Sequence, residues 1–129
     1  MAGLDSTRRF ALSLPGSTEE PHHEMSSYRV GGKIFATVTP DGQYLHVFVT
    51  EPEISASVAE DPGAFQPLVW GKAVRGVRVR LAVAPQERVA ELLAEAWRRR
   101  APRRLVAEHD AADQARAVHV RGVGHGRVG

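Results

Sequence analysis

Phe10 and Leu14, four residues apart and preceded by Asp5 and Ser6, are the first periodic apolar positions in the chain, and Pro15-Gly16 follows them directly. Asp and Ser satisfy free N–H groups at helix starts, and a proline keeps the residue before it out of the helical region, so 5–14 is predicted as a short amphipathic helix. Ser17 to His23 is polar, contains Pro21 and reads as a connecting loop. Three strand-like runs follow. Glu24 to Val30 leads into Gly31-Gly32, whose tolerance of positive φ suits a two-residue hairpin; Ile34 to Thr39 leads into the turn sequence Pro40-Asp41-Gly42; Tyr44 to Thr50 completes an antiparallel meander.

Within the meander, Ile34, Ala36, Val38, Leu45, Val47 and Val49 fall on one face and Phe35, Thr37, Thr39, Tyr44, His46 and Phe48 on the other. The first face is the one predicted to receive helices. Pro52 to Asp61, with Ile54 and Val58 four apart, reads as a short helix ended by Asp61-Pro62-Gly63; Ala64 to Trp70 reads as a loop pinned by Phe65, Leu68 and Trp70. Val77, Val79 and Leu81 alternate with Arg78 and Arg80 in a further strand whose outer side is positive. Pro85 to Arg100 carries Glu87 and Glu91 early, Arg98 to Arg100 late, and Val89, Leu92, Leu93, Ala96 and Trp97 at helical spacing, the strongest helix signal in the chain. After Leu105 no period is sustained, so the tail is predicted to be frayed or flexible. The expected fold is a two-layer α+β domain: an antiparallel sheet, made of the three-strand meander plus one or two further strands, with helices packed on one face. The domain is expected over residues 1–108, with a flexible or frayed extension over 109–129.

Several local strings resemble the MmcQ/YjbR-like family. They are Ala11-Leu12-Ser13-Leu14-Pro15-Gly16, Tyr28-Arg29-Val30-Gly31-Gly32-Lys33-Ile34-Phe35-Ala36, Asp61-Pro62-Gly63-Ala64-Phe65, Trp70-Gly71, Ala96-Trp97-Arg98 and Ala101-Pro102-Arg103-Arg104-Leu105. The resemblance implies a CyaY-like or secretion-chaperone-like α+β fold and DNA binding. It brings no catalytic residues with it, and it is departed from at Val77, which follows Gly76 where the family pattern suggests an aromatic residue.

Charge sharpens that expectation. The 129 residues have a formal net charge of +2, yet residues 1–70 hold four basic and nine acidic side chains, whereas 71–105 hold ten basic and three acidic ones. Lys72, Arg75, Arg78, Arg80, Arg103 and Arg104 are the candidate nucleic-acid contacts, because cations along a strand and at a helix end can meet successive phosphates. The competing reading is a solvated face, and Arg98 to Arg100 also suit a helix C-terminus for its dipole alone. Tyr28, Phe35, Tyr44 and Phe48 are candidates for a stacking platform on the second sheet face, of the kind single-strand binders use, against the competing reading that they fill the core. Phe35, Tyr44 and Phe48 on the same sheet face motivate the alternative of a protein-interaction or chaperone-like adaptor, while Trp70 and Trp97 are expected as packing anchors.

Absence of cysteine excludes disulfides, thiolate metal sites and cysteine nucleophiles, and the sequence offers no apolar run of membrane-spanning length. His22 and His23 lie among Glu19, Glu20 and Glu24, but adjacent residues of an extended chain point apart and lack metal-ligand spacing. Gly31-Gly32-Lys33 lacks the rest of a P-loop, and Ser13, Ser26 and Ser27 have no base with an orienting acid. A non-enzymatic, cytoplasmic binding domain without cofactor or metal is expected, with DNA, or in the alternative another protein, as partner.

Overall fold

The computed structural model describes residues 2–125, with side chains described as far as residue 115. Chain order is α1 (Leu4–Ser13), β1 (Ser17–His22), β2 (Met25–Val30), β3 (Lys33–Val38), β4 (Tyr44–Val47), α2 (Glu51–Glu60), β5 (Phe65–Trp70), β6 (Ala73–Arg80), α3 (Gln86–Arg100) and α4 (Arg103–His125). All strand pairs are antiparallel, in the order β1-β2-β3-β4-β6-β5. The fold class is the expected α+β, with a wider sheet than the sequence indicated.

Both additional strands lie at sheet edges. Ser17 to His23, polar and containing Pro21, and Ala64 to Trp70, pinned by Phe65, Leu68 and Trp70, were expected as loops, yet they supply β1 and β5, with Pro21 and Pro67 inside the strands. An edge strand leaves one row of N–H groups unpaired, so proline is tolerated there, and it also discourages pairing with another chain. The central signals translate directly into geometry. Gly31 and Gly32 have φ of 58° and 77° and join β2 to β3 in two residues, the conformation that a type I′ turn requires.

Ala36, Val38, Leu45, Val47, Val77 and Val79 share the buried face with Tyr28 and Phe65. Against them α3 buries Val89, Leu92, Leu93, Ala96 and Trp97. The Trp97 indole donates to the Pro15 carbonyl at 2.9 Å, tying α3 to the turn after α1. From α2, Ile54 joins the core, and Ser57 accepts a hydrogen bond from Arg88 Nη2 at 3.0 Å. Burying apolar surface in this way is the main stabilising term.

Two irregularities change which side chains face where. β3 gains one residue relative to β2 between Tyr28 and Arg29. Phe35, placed by simple alternation on the outer face, is fully buried in the core, with its ring centroid 6.5 Å from that of Tyr28. Between Leu68 and Val69 the partner of β5 jumps from Gly76 to Val74, leaving Arg75 as the extra residue of β6. A bulge re-aims side chains in this manner. Gly76 itself sits where β4 comes close: a Cβ there would overlap the Val47 carbonyl oxygen and stand 3.1 Å from Phe48 Cα.

The predicted tail is helical through His125, and α4 continues across the expected boundary at residue 108. Leu105 and Val106 pack against the core, His109 lies 5.0 Å from Trp97, and Asp110 accepts two hydrogen bonds from Arg98. Its helicity has a local cause in Ala107, Ala111, Ala112 and Ala115, the residue type of highest helix propensity, which apolar periodicity does not detect. The last four residues of the expected tail, 126–129, lie outside the described residues.

Candidate functional site: a cationic groove on the open sheet face

Because the helices occupy one face, the other face of the central strands stays open. A groove of about 1380 Å³ runs over it from the β1–β2 turn and Pro40 at one end to Gly32, Phe48 and Trp70 at the other. Its cationic lining is Arg29, Lys33, Arg75, Arg99 and Arg100, against a single carboxylate, Glu24. Each cation arrives by a different route. Arg29 lies on β2, donating to Ser27 Oγ at 3.0 Å and to the Pro21 carbonyl at 3.5 Å. Lys33 follows the glycine turn, the bulge delivers Arg75, and the last turn of α3 brings Arg99, which donates to the Phe48 carbonyl at 2.8 Å.

Outside the groove three basic side chains are neutralised: Arg8 by Glu19 at 2.6 Å, Arg88 by Glu60 at 3.4 Å and Arg98 by Asp110 at 2.8 Å. Among the described residues, none of the five groove cations makes an ion pair. Five cations held together against one carboxylate raise the local positive potential and attract anions.

The six sequence candidates do not form one cluster. Arg75 enters the groove. Lys72 is exposed in the turn between β5 and β6, and Arg80 is exposed at the far end of β6. Arg78 is half-buried, with its guanidinium carbon 3.8 Å above the Tyr44 ring centre, a cation–π contact that occupies one face of both groups. Arg103 and Arg104 are exposed at the start of α4, just after Pro102, which stands over the Gly31 turn. β6 lies between β4 and β5, so its arginines belong to an interior strand instead of the expected strand edge. The groove's other cations escaped the sequence reading: Arg29 and Lys33 lie in the acidic half, and Arg99 and Arg100 were accounted for by the helix dipole.

Next to the groove, Thr37, His46 and Arg78 are cross-strand neighbours. Thr37 Oγ1, both His46 ring nitrogens and Arg78 Nε are buried without a hydrogen-bond partner among the described residues. Burial, and secondarily the Arg78 charge, holds the His46 imidazole below its ordinary pKa. The aromatic platform is not presented as expected, because Tyr28, Phe35 and Phe48 are buried. Trp70, expected as an anchor, is 54% exposed and leans on Phe48 with a centroid distance of 5.4 Å.

The His22 and His23 rings approach to 4.6 Å, because His23 adopts φ of 57° in the turn after β1 instead of continuing the extended chain. Among the described residues, no three His, Asp or Glu side chains gather as metal ligands, and no helix is long and apolar enough to cross a membrane. The Ser13, Ser26 and Ser27 hydroxyls donate to the Phe10 carbonyl, Glu19 and the Glu20 carbonyl.

These features define a two-layer α+β domain with a cation-lined, open sheet face. The YjbR family matches over residues 12–99, and the chain belongs to that family. It is 28% identical over 124 residues to the uncharacterised proteins Rv2570 of Mycobacterium tuberculosis and Mb2600 of Mycobacterium bovis, covering 82% of this chain and 94% of each relative. The crystal structure of Deinococcus radiodurans protein DR2400, with a DUF419 domain, is similar in fold at a TM-score of 0.64 and 24% identity, covering 75% of this chain and 77% of that one.

Proposed function

We propose that this protein is a non-enzymatic, cytoplasmic DNA-binding domain whose groove on the open sheet face holds the phosphate backbone. The observation that carries the reading is the convergence of Arg29, Lys33, Arg75, Arg99 and Arg100, without ion pairs among the described residues, around one groove. Arginine and lysine neutralise phosphates and release condensed counterions, which drives sequence-independent binding. Lys72, Arg103 and Arg104 stand near the same end of the sheet and extend the positive surface.

The test compares two charge-reversed variants by anisotropy of labelled oligonucleotides. Lys33→Glu with Arg75→Glu is expected to abolish binding to every sequence while the melting temperature stays within a few degrees. Arg78→Glu with Arg80→Glu is expected to weaken binding less, since these residues lie outside the groove lining. Unchanged affinity in the first variant refutes the reading.

A second reading, a protein-interaction adaptor, has one supporting observation. Val69, Trp70 and Val74 are 54%, 54% and 46% exposed on the β5–β6 hairpin, forming an apolar tip. A partner bound through this tip would remain bound at high salt and be lost on Val69→Ser with Val74→Ser.

A further inference from the structure

The two tryptophans stand in opposite circumstances. Trp97 is fully buried, and its N–H is engaged by Pro15. Trp70, at the end of β5, keeps half its surface in solvent while Phe48 supports it from the side. Trp70 shares the groove with Arg75, Arg99 and Arg100. An indole supported by Phe48 in a groove that also carries cations offers a flat apolar surface together with positive charge, the pairing that suits a nucleobase joined to phosphates.

We infer that the groove takes an unpaired DNA strand, with one base stacked on Trp70 and neighbouring phosphates held by Arg75, Arg99 and Arg100. The inference rests on the DNA-binding reading and narrows it to single strands. In a duplex both faces of each base are already stacked, so Trp70 could engage one only after it had been extruded from the helix. A single strand exposes those faces at no such cost. The groove volume of about 1380 Å³ also exceeds the roughly 300–1,000 Å³ usual for small-molecule pockets and favours a chain-like occupant.

The test uses the full chain, an oligothymidylate of about twelve nucleotides and a duplex of matching length. Tryptophan emission and anisotropy of the labelled DNA are followed together. The single strand is expected to quench the solvent-exposed, red-shifted emission of Trp70, leaving that of Trp97 unchanged as an internal reference. Trp70→Ala is expected to remove the quenching and weaken single-strand binding about 5- to 150-fold, the range that base–aromatic stacking supplies. Trp70→Phe should recover part of that loss, and duplex affinity should change less than about twofold, since backbone contacts alone hold a duplex. Duplex binding as tight as single-strand binding, with Trp70 emission unmoved, overturns this inference and leaves the DNA-binding reading standing. Binding to neither DNA overturns both. Melting curves establish that each variant folds.

Discussion

Gly76→Ala adds one methyl group at the point where β6 and the end of β4 approach most closely. Its Cβ would overlap the Val47 carbonyl oxygen, lie 2.9 Å from the Val47 carbonyl carbon and 3.1 Å from Phe48 Cα, all of them backbone atoms that no side-chain rotation can move aside. Carbon atoms pack best at about 3.5–4.0 Å. β4 and β6 would therefore have to separate by several tenths of an ångström or more, straining the pairing around Val47 and Val77. Overpacking of this kind costs about 1–3 kcal/mol and sometimes more, and the absence of a flexible neighbour puts this site at or above the upper end, about 3 kcal/mol. The smaller unfolded-state entropy of alanine offsets about 0.4–1 kcal/mol of that. A net loss near 2–3 kcal/mol corresponds to roughly 6–15 °C in melting temperature for a domain of this size.

Gly32→Ala is the matched control. Gly32 has φ of 77° and no neighbour within 4 Å of an added Cβ, so only left-handed strain applies, about 1–2 kcal/mol. Urea and thermal unfolding of both variants measure the difference. The same substitution at Gly76 should also disturb the seating of Phe48 and hence of Trp70. If Gly76→Ala unfolds within about 0.5 kcal/mol of the parent, the close approach of these strands is wrong.

Trp97→Phe loses the hydrogen bond to the Pro15 carbonyl and leaves a void against α1 and α4, so urea denaturation should show a loss of about 2–4 kcal/mol. The buried His46 imidazole, held below its ordinary pKa, makes the folded protein take up this proton at lower pH than the unfolded chain. Its contribution therefore favours the folded state above about pH 6.5 and is lost as pH falls from there toward the folded-state pKa. Urea midpoints at about pH 7.5 and pH 5 should fall less in His46→Leu than in the parent, and an identical fall would remove His46 from the account.

The meander was legible because its two turns announce themselves: paired glycines before β3 and Pro40-Asp41-Gly42 before β4. Helix α3 was equally plain, with an unbroken apolar stripe ending in Trp97. What stayed hidden depended on sheet position and register. Pro21 and Pro67 argue against a strand only until the strand is known to be an edge, and Phe35 and Arg75 change face through single-residue register shifts. α4 was missed because alanine, without apolar periodicity, carries its helical preference. The groove was the least legible feature. Arg29, Lys33, Arg75, Arg99 and Arg100 come from β2, β3, β6 and α3, and only the folded sheet and the final turn of α3 bring them together. The sequence signal that did point toward it was the cationic stretch over 71–105, of which Arg75, Arg99 and Arg100 reach the groove.

The central claim is that these cations hold a phosphate backbone, and the salt dependence of single-strand binding tests it most directly. Five groove cations each meeting one phosphate give a slope of log affinity against log salt of about −3.5, or roughly a 100-fold loss between about 50 and 200 mM salt. Replacing Lys33 and Arg75 by alanine should reduce that slope to about −2 in a protein that still melts normally. A slope near zero, or one that these two substitutions leave unchanged, would contradict the account.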